Sequence, residues 1–388
     1  MQFFGETKID FLGRRKIFIV LSLVLLAAGA ISLVLKGGPK LGIDFKGGTL
    51  VYVKFQQEPD VSAIRQALTS KGLAVSTLQP FEDGQELKID LDLEIGEAAT
   101  SGKEQMMATL ESLFPPEAGK LDFNNAAGTA IADRLRSNAA VAASPLTSDE
   151  ILELSERLAN FRDQPPNSGL IKEFSALASV EGATPDIMSA LQEETYLGAF
   201  AIRGVEVVGP KVGKDLQLQA LRATLFALGG MLVYIAFRFE WIYGFAAVVA
   251  VFHDVLVTVG FFSLFGREIE LTVVAALLTL VGYSMNDTIV IFDRVRENRK
   301  LTRRLSLEEL LNLSVNQTLG RTVLTSGLTL IAVLCLFIFG GEVLRGFSFA
   351  LVVGVLVGTY SSIFIASPIL LWWQGVVASK SAGGGKRR

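Results

Sequence analysis

Six runs of apolar residues, each long enough to cross a lipid bilayer, constrain this chain more than any other feature; they lie at roughly 17–35, 219–237, 242–262, 270–292, 322–339 and 346–371. A hydrocarbon core about 30 Å thick takes about 20 helical residues. In lipid every backbone polar group must find its partner inside the segment, so the runs predict six transmembrane helices and not strands. Composition agrees, because half of the residues are hydrophobic and 19% are charged, against about 25% charged in a soluble domain. The first run has a competing reading. Arg14-Arg15-Lys16, an apolar stretch and Ala28-Gly29-Ala30 also fit a cleaved leader, but the apolar run continues to Leu35, which favours a span.

Orientation follows from lysine and arginine. Lys8, Arg14, Arg15 and Lys16 precede the first run; Arg294, Arg296, Arg299, Lys300, Arg303, Arg304 and Arg321 follow the fourth; the chain ends Lys386-Arg387-Arg388. The short connections after the third and fifth runs carry only Arg267 and Arg345. The positive-inside rule then predicts a cytoplasmic N-terminus (1–16), helix 1 (17–35), an extracytoplasmic domain (36–218), helices 2–6 (219–373), a cytoplasmic 293–321 loop and a basic cytoplasmic tail (374–388).

The 36–218 segment reads as α+β. Residues 50–55 alternate and are rich in strand formers, Asp60 precedes a helical 61–68 that stops at Gly72, and further strands are expected at 74–80, 86–93 and 201–208. Residues 96–199 are helix-prone and punctuated by Pro115-Pro116 and Pro165-Pro166. They read as a helical insertion into a small split β-α-β, ferredoxin-like sheet.

Several functions are excluded by count. One cysteine, Cys335, rules out a disulfide within the chain, and one histidine, His253, rules out multi-histidine metal sites. There is no phosphate-binding Gly-x-x-x-x-Gly-Lys-Ser/Thr loop, and a net charge of −3 gives no argument for nucleic acid. The expectation is a membrane protein that is not an enzyme, with no cofactor and no metal.

What chemistry remains lies inside the spans. Asp254 falls near the middle of the third run beside His253, and the fourth holds Asn286, Asp287, Asp293 and Arg294. A charge at mid-bilayer costs at least about 2.5–3.5 kcal/mol, so such groups face the bundle interior or a wet path. Seven-residue spacing puts Asn286 with Asp293, and Asp287 with Arg294, along common helix faces. The pattern fits a proton or ion relay; polar bonds between helices are the alternative, strongest for His253, and snorkelling is the alternative for Asp293 and Arg294. Gly346, Ala350, Gly354 and Gly358 recur every fourth position in the sixth run, continued by Ser362 and Ala366, a ridge suited to close helix packing. Thr322, Thr325, Ser326 and Thr329 share a face of the fifth, where they line a wet path or bond their own backbone.

Three segments carry a resemblance: Leu41-Gly42-Ile43-Asp44-Phe45-Lys46-Gly47-Gly48-Thr49 after the first run, Val207-Val208-Gly209-Pro210-Lys211-Val212-Gly213-Lys214 before the second, and the long stretch from Val281 through Asn286-Asp287 and Asp293-Arg294 to Asn298. Together they resemble the SecF family of protein-export membrane proteins, within the resistance-nodulation-division superfamily. The resemblance covers both ends of the external domain and all six spans, and leaves 96–199 without a counterpart. It implies a bacterial inner-membrane protein with both termini cytoplasmic and a periplasmic domain. It also implies pairing with a homologous six-helix SecD half, association with the SecYEG translocon and YajC, and use of the proton motive force on preprotein at a late stage of export. By motif it assigns proton flow to Asp254, Asn286, Asp287, Asp293 and Arg294. Another exporter of the superfamily, or a scaffold that conducts nothing, stays open.

Overall fold

The computed structural model describes residues 7–80, 84–91, 98–238, 241–302 and 304–373. The basic tail, the end of the strand expected at 86–93 and the expected start of the insertion at 96 lie outside them. In chain order the elements are α1 (Arg15–Leu35), α2 (Ile43–Lys46), β1 (Gly48–Phe55), α3 (Val61–Ser70), β2 (Val75–Pro80), β3 (Glu86–Leu91) and α4 (Ala98–Leu113). Then come β4 (Leu121–Asp122), α5 (Gly128–Ser137), α6 (Ala139–Ala142), α7 (Ser148–Asp163), α8 (Pro185–Glu194), β5 (Thr195–Tyr196) and β6 (Phe200–Val208). The long helices α9 (Pro210–Arg238), α10 (Trp241–Leu264), α11 (Leu271–Leu301), α12 (Leu307–Phe339) and α13 (Gly341–Ser361) follow. A π turn at Ser362–Ala366 carries α13 on to Trp373. Two units result, one of Lys46–Gly213 and one of the residues up to Phe45 with those from Lys214.

The helical unit holds six helices long and apolar enough to cross a membrane. Their apolar windows match the six runs, but three helices, α9, α11 and α12, clearly outrun them. α9 starts at Pro210, not at 219, because proline is well placed in a first helical turn and polar residues such as Lys214 and Gln217 continue the helix beyond the apolar window. α12 starts at Leu307, not at 322: Ser306 and Glu309 form a capping box, the hydroxyl accepting from the Glu309 N–H and the carboxylate from the Ser306 N–H. With α11 running to Leu301, the expected 293–321 loop is mostly helix. The bundle core is built from Tyr243, Ala247, Val251, Val281, Phe292, Leu311 and Phe364, among others.

In the other unit β1, β3, β2 and β6 form an antiparallel sheet in the order β2-β3-β1-β6. This is the split β-α-β arrangement of a ferredoxin-like domain. The Asp60 carboxylate caps α3 by accepting from the Ser62 and Ala63 N–H groups. Met106 and Leu110 of α4 are fully buried with Val51, Phe55, Ile64, Leu68 and Ile89. α4 is therefore the second helix of the sheet domain, and the inserted part begins after Leu113, not at 96. That insertion has its own core of Phe123, Ile131, Leu135, Leu154, Leu158 and Leu191. Asn125 ties it to the sheet: its amide donates to the Phe200 carbonyl and its oxygen accepts from the Ile202 N–H, both at 2.9 Å.

Candidate functional site

Asp254, on α10, has no exposed surface. A carboxylate so placed needs hydrogen-bond donors around it, since an unpaired buried charge costs several kcal/mol. Three groups supply them. His253 Nδ1 lies 2.9 Å from Oδ1, while Ser284 Oγ of α11 donates to Oδ2 at 2.5 Å and Ser361 Oγ of α13 at 2.8 Å. One carboxylate thus joins three helices.

The hydroxyls continue outward. Thr288 Oγ1 donates to the Ser284 carbonyl and to Ser362 Oγ at 3.0 Å, and all of these groups are fully buried. On the other side Tyr360 stands edge-on to the His253 ring and its hydroxyl pairs with Ser22 Oγ of α1 at 2.9 Å. α1 reaches α10 this closely because Gly29 meets Gly260; a methyl built on Gly29 would lie 2.7 Å from the Gly260 Cα.

Close packing of α13 on α11 positions Ser284 against Ser361. The small-residue ridge faces α11: a Cβ on Gly346 would stand 3.2 Å from Val273, on Gly354 2.6 Å from Leu280, and on Gly358 3.1 Å from the Ser284 Cβ, while Ala350 is fully buried. Small residues bring the backbones near enough for two serines to reach one carboxylate.

The expected residues of α11 do not all gather here. Asp287 is buried on the side facing α12, where Ser326 Oγ donates to its Oδ2 at 3.1 Å. Asn286 and Asp293 lie on the exposed face. Arg294 does not pair with Asp287; it donates to Glu297 at 2.5 Å and Gln317 at 2.6 Å. Of the α12 hydroxyls, Thr325 and Thr329 bond carbonyls of their own helix, and only Ser326 reaches a carboxylate. Sequence reasoning missed Ser22, Ser284, Tyr360 and Ser361. Their one signal is hydroxyl groups on apolar helices, which does not reveal convergence on a single aspartate.

In the connecting motifs Gly47 and Gly48 hold φ of 78° and 134°, left-handed backbone that favours glycine. A Cβ on Gly47 would also meet Pro210 at 2.9 Å, whereas Gly209 has open space. Gly42 and Asp44 lie against the start of α11. Among the described residues no cluster of His, Cys, Asp and Glu is arranged to hold a metal ion.

The family described as "Protein export membrane protein SecD/SecF, C-terminal" matches residues 188–376, and "SecD/SecF GG Motif" matches residues 32–59. Protein translocase subunit SecF of Koribacter versatilis is 48% identical over 96% of this chain and 94% of its own. That of Rhodothermus marinus is 37% identical over 98% of each. The crystal structure of SecDF from Thermus thermophilus, described as a translocon-associated membrane protein, superposes with a TM-score of 0.63 at 30% identity over 95% of this chain. The chain spans 39% of that SecDF chain. Near-full-length identity to SecF subunits, together with the two family matches, shows that the chain belongs to the SecD/SecF family of protein-export membrane proteins, on its SecF side.

Proposed function

We propose that the chain pairs with a homologous SecD half in the bacterial inner membrane, both termini cytoplasmic. There it uses the proton motive force to drive preprotein forward late in export, together with SecYEG and YajC. The observation that carries this reading is Asp254: a carboxylate with no exposed surface, held by donors from three helices at mid-span. Asp254 can take up or release a proton beside the His253 ring. A change in that proton alters what Ser284 and Ser361 are bound to, and so the packing of α11 and α13 on α10. One charge crossing about 100 mV releases about 2.3 kcal/mol, comparable to the cost of repacking a few such contacts.

Asn286 and Asp293, exposed with Thr279 and Gly282 on one face of α11, supply the face for the SecD half. Arg294, at the same end as Asp293, lies at its margin.

The test is export of a secreted reporter in cells whose only copy carries Asp254→Asn, with co-purification of the SecD half as control. Export lost with the complex intact supports ion coupling at this carboxylate. Retained export would make Asp254 a structural bond and the chain a scaffold.

A further inference from the structure

The motif between α1 and the sheet domain has no part in the buried cluster, yet it is fastened at several points to the helical unit. Leaving α1, the chain runs alongside the 263–271 turn that joins α10 to α11. Lys36 Nζ donates to the Ser263 carbonyl and Ser32 Oγ pairs with Ser263 Oγ at 2.8 Å. Further on, the Ile269 N–H donates to the Lys40 carbonyl at 2.7 Å and the Gly42 N–H to the Ile269 carbonyl at 3.0 Å, a short parallel pairing centred on Leu41 and Ile269. Lys40 forms an ion pair with Glu268 at 3.1 Å. Gly42 packs closely here: a Cβ would lie 2.7 Å from the Glu270 Cγ, so that side chain would have to move aside. Phe45 is buried with Phe262, Ile269 and Val273, and its carbonyl accepts from Gln217 of α9 at 2.7 Å.

Asp44 closes the arrangement. The first N–H groups of a helix have no partner within it, and an acidic side chain there also complements the helix dipole. Glu270, the residue that flanks α11, gives no side-chain cap. Asp44 supplies it from 227 positions away: its Oδ2 accepts from the Leu271 N–H at 2.8 Å.

We infer that Asp44 is a positioning residue that fastens the connector to the first turn of α11, so that displacement of the α10–α11 pair is passed into the chain that enters the sheet domain at Lys46. The inference rests on the ion-driven reading above. It treats residues 40–45 as moving with α11 as one body. A loose linker would absorb a small helix shift; a linker bound by two backbone hydrogen bonds, an ion pair, a cap and a buried phenyl ring transmits it.

The experiment compares Asp44→Ala, Asp44→Asn and a Leu41→Cys/Ile269→Cys pair, all in a Cys335→Ala background. Each is carried on the full chain in cells and scored for export and for co-purification of the SecD half. Asp44→Ala is expected to slow export about fivefold, the factor that one lost helix cap is worth, with the complex intact. Asp44→Asn, which keeps an acceptor oxygen, restores most of the rate. The oxidised cysteine pair exports normally and rescues Asp44→Ala, a result that a merely stabilising role would not give if melting temperatures are equal. Export blocked by the disulfide would overturn the inference, because the connector would then have to separate from α11. Unchanged export in Asp44→Ala would overturn it as well. Asp254→Asn, run in parallel, separates the two readings. If it exports normally, the ion-driven reading falls and takes this inference with it. If it is inactive while Asp44→Ala is unaffected, the inference alone falls.

Discussion

At Asp254 two serines do what a lysine or arginine would do elsewhere in a protein. Hydroxyl donors support a carboxylate without fixing its charge, because they rotate and can accept as well as donate. A permanent cation in contact would lock the ionised form. Each hydrogen bond to a charged group is worth about 1.5–3 kcal/mol. Ser284→Ala and Ser361→Ala should therefore each slow export partially, and the double substitution should match Asp254→Asn in a pulse-chase assay with the complex still assembled. Asp254 and His253 stood out in the sequence because charge is rare in an apolar run. Their serine partners did not, since Ser284 and Ser361 lie 30 and 107 positions away and only packing brings them in. Asn286 lies apart from this cluster for a simpler reason. One residue is 100° of helix, so Asp287 faces α12 while its neighbour faces out.

Helix ends show where apolar length stops being informative. The hydropathy of α12 marks the part that suits lipid, but Ser306 and Glu309 mark where the helix begins, a signal that apolar length does not carry. Its extra turns serve as a dock for the chain before α1. The Asn312 oxygen accepts from the Phe11 and Leu12 N–H groups at 3.0 Å, and Asn316 both donates to the Ile9 carbonyl and accepts from its N–H. Asn312→Ala together with Asn316→Ala should speed amide exchange at Ile9, Phe11 and Leu12 by roughly tenfold or more, for at least one lost hydrogen bond each, and leave α10 and α13 protected. In the insertion the Tyr196 hydroxyl is pushed up to about 12, first by burial and then by the carboxylate of Asp122. A raised value favours the neutral phenol in the folded state. Its contribution is complete below the ordinary 10.0 and is lost as pH rises through about 12. Tyr196→Phe should accordingly flatten the alkaline limb of unfolding between those values, followed by circular dichroism of the purified chain. The sheet strands were legible from alternation, whereas the true edge of the insertion was not. Met106 and Leu110 show a helical spacing that does not say which of two cores receives them.

For the whole molecule the question is which surfaces are finished. The small-residue ridge of α13 is, because the space beside Gly346, Gly354 and Gly358 is filled by Val273, Leu280 and Ser284 of α11. The opposite face of α11 is not: Gly282 has nothing within 4 Å, and Asn286 and Asp293 share that exposed face. Lipid is a poor neighbour for an aspartate and an asparagine, whereas a second helix bundle with complementary groups is a good one. The chain spans 39% of the SecDF chain it resembles, so much of such an assembly lies outside it. Two substitutions of the same type separate interior from interface. Gly354→Leu forces a side chain into Leu280, which stands 2.6 Å from the site of the new Cβ, and overpacking of this kind costs about 1–3 kcal/mol. The purified subunit should melt several degrees lower. Gly282→Leu meets open space and removes a glycine from a helix, so the isolated subunit should melt no lower than the unsubstituted chain. If the exposed face of α11 receives the SecD half, the same Gly282→Leu subunit should fail to co-purify with it, whereas Gly354→Leu should retain partial association. A Gly282→Leu subunit that assembles normally would turn that face back to lipid, and the contact with SecD would then have to be sought on α9, whose Leu221, Leu225, Phe226 and Phe237 are also uncovered.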